Sequence, residues 1–158
     1  MKHTLYIAQK LWSFWGRYEV KNERDQVVFY VQGQKSFLRK QTIYDGHNQE
    51  IGRFEQTWSI PNKFLIFEPG KPEDKIEQKW RFFHPELLMI NNGWHIHGKG
   101  IGLSFQVTDS KGNWIATINK EIWHMSDYFV VHYTHSEDGL PLLFITLALD
   151  TLLDGSKN

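Results

Sequence analysis

Leu140-Pro141-Leu142-Leu143-Phe144-Ile145-Thr146-Leu147-Ala148-Leu149-Asp150-Thr151-Leu152-Leu153 is the stretch whose reading decides the fold. At roughly 100° per residue it predicts a helix whose apolar residues point in every direction. Leu142, Leu143, Phe144, Ile145, Leu147, Ala148, Leu149 and Leu152 surround the axis, and only Thr146 and Asp150 form a narrow polar seam. A helix that is apolar all round must be enclosed. A bilayer would need about 20 such residues to cross roughly 30 Å of hydrocarbon. This run is shorter and ends among Asp150, Asp154 and Lys157, so the expected enclosure is protein and no transmembrane span is predicted. Ser136, Glu137 and Asp138 suit the start of the helix, Pro141 is tolerated in a first turn, and Gly155 offers a left-handed stop.

The chain ahead of this helix reads as strands. A β run, a polar turn and a second β run recur at residues 20–31, 43–54 and 107–118, and more loosely at 67–76. Each turn carries Asp, Asn, Gly or Pro, which accept turn dihedrals or bond their own backbone. Inside the strands large apolar residues alternate with small or polar ones, as in Ile101, Leu103, Phe105 and Val107. Likewise Ile76, Trp80 and Phe82 are expected to point inward, with Lys75, Glu77, Lys79 and Arg81 outward. The last strand, 127–133, is apolar on both faces and should be covered on both. Repeated hairpins followed by one enclosed helix predict an all-β fold, a closed antiparallel barrel plugged by its C-terminal helix, with residues 1–158 forming one domain.

Composition narrows the function classes. There are no cysteines, which removes disulfides and thiolate chemistry and is compatible with a cytoplasmic setting. The first ten residues carry no long apolar core and no small-residue cleavage site, so no signal peptide is expected. Eighteen basic residues balance eighteen acidic ones, which argues against a dedicated nucleic-acid binder. Seven Trp, eleven Phe and six Tyr favour strands and large core contacts.

The hairpin turn at Ile43-Tyr44-Asp45-Gly46, the strand Asp127-Tyr128-Phe129-Val130-Val131 and the closing helix ending Leu147-Ala148-Leu149-Asp150, in that order, resemble the LURP-one-related family. That resemblance implies a tubby C-terminal-like barrel, shared with phospholipid scramblases, of twelve strands around a central C-terminal helix. It also implies a link to membrane lipids, since the related tubby proteins bind phosphoinositide head groups through a basic surface pocket. The calcium and lipidation features of scramblases do not carry over. Residues 122–127 lack an acidic loop that could supply several oxygen ligands, and a cysteine cluster is missing.

Several constellations invite a chemical reading. Lys35, Arg39 and Lys40 flank Phe37 and Leu38, and such a group could dock on anionic head groups, each cation adding about 1 kcal/mol. The plain alternative is a solvated hairpin edge protected by its charges. His95 and His97 share one strand face, but a closed metal site needs four ligands and His84 and His124 cannot be placed beside them from sequence, so no metal or other cofactor is expected. Gly98-Lys99-Gly100-Ile101-Gly102 lacks phosphate-loop spacing and reads as a turn or bulge. Ser104 and Ser126 sit in no nucleophile elbow.

The resulting expectation is a non-enzymatic intracellular binding or adaptor module, with Lys35, Arg39 and Lys40 as lipid-binding candidates at the membrane periphery. A protein-interaction or self-association role is the alternative, suggested by apolar residues at outward strand positions such as Val28, Tyr30 and Ile115. A ligand carrier or enzyme would need an open pocket, and so a helix displaced from the barrel interior.

Overall fold

The computed structural model describes residues 2–9, 16–79, 86–99, 103–123 and 126–155. Twelve strands follow one another: β1 (His3–Gln9), β2 (Arg17–Asn22), β3 (Val27–Gly33), β4 (Lys40–Asp45), β5 (Glu50–Gln56), β6 (Lys63–Phe67), β7 (Asp74–Lys79), β8 (Glu86–Met89), β9 (Trp94–Gly98), β10 (Ser104–Thr108), β11 (Trp114–Trp123) and β12 (Ser126–Tyr133). Each pairs antiparallel with the next, and β1 closes on β12 through Leu5↔Val131 and its neighbours, so the sheet is a closed barrel. A 3-10 turn at Ser136–Asp138 leads into α1 (Gly139–Gly155).

Because successive strands are antiparallel, their connections alternate between two ends. The turns after β2, β4, β6, β8 and β10 lie at the end where α1 enters, here the entry end. The connections after β3 and β5 lie with the C-terminal end of α1, here the exit end.

The plug follows from the residues. Every side chain from Leu142 through Asp150 is buried, which no one-sided packing could achieve. Leu142, Leu143, Phe144, Ile145, Leu147, Ala148 and Leu149 join one cluster with the inward residues of the strands, among them Leu5, Val31, Ile43, Phe54, Phe64, Ile76, Leu87, Ile96, Val107 and Ile118. Leu152 is half-buried and packs against that cluster. Phe144 reaches β5 so closely that a Cβ on Gly52 would lie 2.6 Å from its Cζ, which explains the glycine inside a strand. Among the described residues no helix is long and apolar enough to cross a membrane.

Three entry-end turns share one chemistry. The side-chain oxygens of Asn22, Asp45 and Asp109 each accept backbone N–H bonds from the residues two and four positions on, at 2.9–3.0 Å. Asp25, Asn48 and Gly112 then take positive φ of 59°, 65° and 86°. A left-handed residue after a tight turn is the hairpin form that generates a bulge. Accordingly the register shifts at Val20/Lys21, Ile43/Tyr44 and Val107/Thr108 leave Val28, Ile51 and Ile115 as the extra residues. All three pack against the core. Strict alternation had placed Val28 and Ile115 outside; the bulge turns them back. Tyr30, the third residue of that group, lies under the Arg17 guanidinium, 4.4 Å from its ring centroid.

The alternation expected for residues 75–82 holds for Ile76, which is fully buried. Trp80, Arg81 and Phe82, together with His84, Gly100, Ile101, Gly102, His124 and Lys157, lie outside the described residues.

Candidate functional site

At the exit end the barrel core changes from apolar to polar. Inward alternation along β2 reaches Tyr18, along β4 Gln41, and along β11 Lys120, and all three are buried. Facing them is Asp150, the carboxylate of the helical seam. Arg39, which precedes β4, completes the layer. Its Nη1 donates to Asp150 Oδ2 at 2.5 Å and its Nη2 to Asp154 Oδ2 at 3.0 Å. Burial pushes the Asp150 carboxyl up to about 6, opposed by the Arg39 guanidinium and aided by Asp154. Burial likewise raises the Tyr18 phenol, with Asp150 adding to the rise. Gln41 Nε2 donates weakly to Tyr18 Oη at 3.5 Å, and its Oε1 is buried with no hydrogen-bond partner among the described residues.

Arg39 is therefore not a surface cation. It is only 2% exposed, and the expectation that it stands with Lys35 and Lys40 in an open basic patch is corrected. The reason is Asp150, 111 positions away, which makes burying a guanidinium tolerable. Lys35 is exposed, and Lys40 is half-buried at the start of β4, opposite Glu55.

Between those two lysines lies the more conspicuous feature. Phe37, on the β3–β4 connection, is 84% exposed, and Trp58 and Ile60, on the neighbouring β5–β6 connection, are 78% and 89% exposed. The rings of Phe37 and Trp58 stack with centroids 5.2 Å apart and planes 17° from parallel. Both connections are pinned at their bases. Gln34 N–H donates to Lys40 O at 2.9 Å, and Thr57 N–H to Lys63 O at 3.0 Å. Arg39 N–H donates to Gln56 Oε1 at 3.1 Å, and Gln56 N–H returns a 2.8 Å bond to Arg39 O. Asn62 Nδ2 donates to Gln78 Oε1 at 2.8 Å. Through Arg39 this assembly is tied to α1, so the apolar tips are held out by a rigid frame.

Sequence reasoning singled out Phe37 only as a neighbour of cations and missed Trp58 and Ile60. Their signal was a large apolar pair beside Ser59 and Pro61, between strands, where a connection has no core to enter.

His95 and His97 point outward from β9, exposed, beside Thr108 and Gln106 of β10 and Leu88 and Glu86 of β8. Among the described residues no three His, Cys, Asp or Glu side chains group as metal ligands. A surface cleft of about 450 Å³ lies where β1 and β2 part beyond Ile7↔Val20, lined by Tyr6, Ala8, Arg17, Tyr18, Glu19 and Lys21. At the exit end the buried ionic groups engage one another, and the exposed surface combines the apolar tips and lysine amines with polar and acidic groups, among them Gln34, Glu121 and the partly exposed Asp154.

Comparison with known proteins agrees with the architecture. A family model described as LURP-one-related matches residues 3–150. The uncharacterized protein YxjI of Bacillus subtilis (strain 168) is 24% identical over 151 residues, covering 94% of this chain and 93% of that protein. An X-ray structure of a protein from Arabidopsis thaliana superposes with a TM-score of 0.61 at 14% identity, covering 99% of this chain and 92% of the other, and so shares the fold.

Proposed function

The chain belongs to the LURP-one-related family, and we propose that it is a non-enzymatic binding module that docks at the surface of anionic membranes, acting inside the cell at the membrane periphery. The observation that carries this reading is the exit end, where Lys35 and Lys40 bracket a solvent-exposed Phe37 on one connection. Helix and barrel fill one another, so recognition falls to the outer surface. Amines near an anionic leaflet contribute about 1 kcal/mol each, and they do so without demanding a shaped cavity. Lys63, which closes the adjacent connection, adds a third amine, shared with Glu77 at 4.0 Å.

Vesicle flotation tests the reading. The protein should float with vesicles containing phosphatidylserine, not with pure phosphatidylcholine, and flotation should weaken as salt is raised. Lys35→Glu with Lys40→Glu should abolish it. Absence of flotation with either vesicle, or flotation indifferent to the charge reversal, refutes it.

A further inference from the structure

We propose that the exit end is a bilayer-inserting surface, with Phe37, Trp58 and Ile60 entering the headgroup–acyl boundary of the membrane. The proposal rests on the lipid reading above and adds which atoms leave water. Its first support is asymmetry. Among the described residues the four most exposed large apolar side chains are Phe37, Trp58, Ile60 and Ile122, and all four sit at the exit end, Ile122 near the end of β11. The entry end exposes Ile90 and Trp114 less fully, at 40% and 45%, and its turns otherwise present Arg24, Asp25, His47, Asn48, Lys71, Lys111 and Asn113 to solvent. Exposed apolar groups scattered singly need no explanation, whereas a concentration at one pole does.

Shape and chemistry select the partner. The tips stand on two pinned connections and are 78–89% exposed, so they can enter a deformable interface without a groove to receive them. A tryptophan side chain beside lysines on long flexible stems is the composition that settles at a membrane–water boundary, apolar body inward and amine toward the head groups. The preformed Phe37–Trp58 stack removes rotamer entropy that docking would otherwise cost.

The absence of native cysteine makes the test direct. Ile60→Cys at the apolar tips and Lys111→Cys at the opposite pole are each labelled with an environment-sensitive fluorophore and mixed with phosphatidylcholine–phosphatidylserine vesicles carrying acyl-chain quenchers. The label at position 60 should shift to shorter wavelength and be quenched, and that at 111 should do neither. Trp58→Ala and Phe37→Ala, both at exposed sites where folding is not at stake, should each weaken vesicle binding about tenfold. If the unlabelled protein floats while the position-60 label stays in water, or while both alanine variants bind unchanged, insertion is refuted and the charge-based reading survives. If nothing floats, both fall. A spectral shift without vesicles, accompanied by a doubled solution mass, would assign the tips to a second copy of the chain and overturn the bilayer as their partner.

Discussion

Arg39 shows how much one side chain can carry. Its guanidinium joins the connection bearing Phe37 to the last turns of α1 through Asp150 and Asp154. Removing one member of a buried pair leaves the other charge stranded, at about 3–5 kcal/mol, whereas a half-exposed pair is worth at most about 1 kcal/mol. Arg39→Ala should therefore lower the denaturation midpoint severely, while Asp154→Asn, at a carboxylate 41% exposed, should scarcely move it. Asp150 adds a pH signature. Its folded pKa, near 6, lies above the ordinary carboxylate value, so the folded state binds this proton more tightly than the unfolded state does. The resulting stability is complete below the unfolded pKa and is lost as pH rises through about 6. The stability of wild type relative to Asp150→Asn, measured by urea titration, should fall from pH 4 to pH 7; a pH-independent difference would contradict the assignment. None of this was readable from the chain beforehand. Lys35, Arg39 and Lys40 look alike in a row of letters, and only the distant carboxylate separates the buried cation from the other two.

At the scale of elements, α1 was legible because burial on every side leaves a mark in composition alone: no polar face can be drawn along residues 142–149 except Thr146. That hydroxyl donates back to Leu142 O at 2.8 Å and needs no outside partner. The hairpins were legible through Asn22, Asp45 and Asp109, whose side chains close the turns. The bulges after them were not, because one extra residue reverses the faces of the strand beyond it, and period-two reading carries Val28 and Ile115 to the wrong side. Strand and helix meet most tightly at Gly52. Gly52→Ala should cost about 1–3 kcal/mol by overpacking against Phe144, and adding Phe144→Leu should recover part of the loss. Thermal melts of the single and double variants measure both; additive losses would mean that the two positions do not press on one another.

Taken whole, the molecule is a closed sheet with unlike poles, and the contrast between them is what makes it directional. The closed barrel could be foreseen, since repeated hairpins and an enclosed helix admit few other solutions. Which pole would carry exposed apolar tips could not be, because it depends on where connections emerge and which of their side chains find no core. The seam of the barrel has one more implication, for the order in which the protein is made. Thr4 of β1 touches His132 of β12 across 128 positions, and α1 comes later still. On the ribosome, ten strands must therefore emerge after β1 before its second neighbour exists, and the whole sheet must wait for the helix that fills it. Such distant pairing folds slowly. The nascent chain is expected to remain sensitive to protease until α1 has cleared the exit tunnel, and then to gain protection in a single late step.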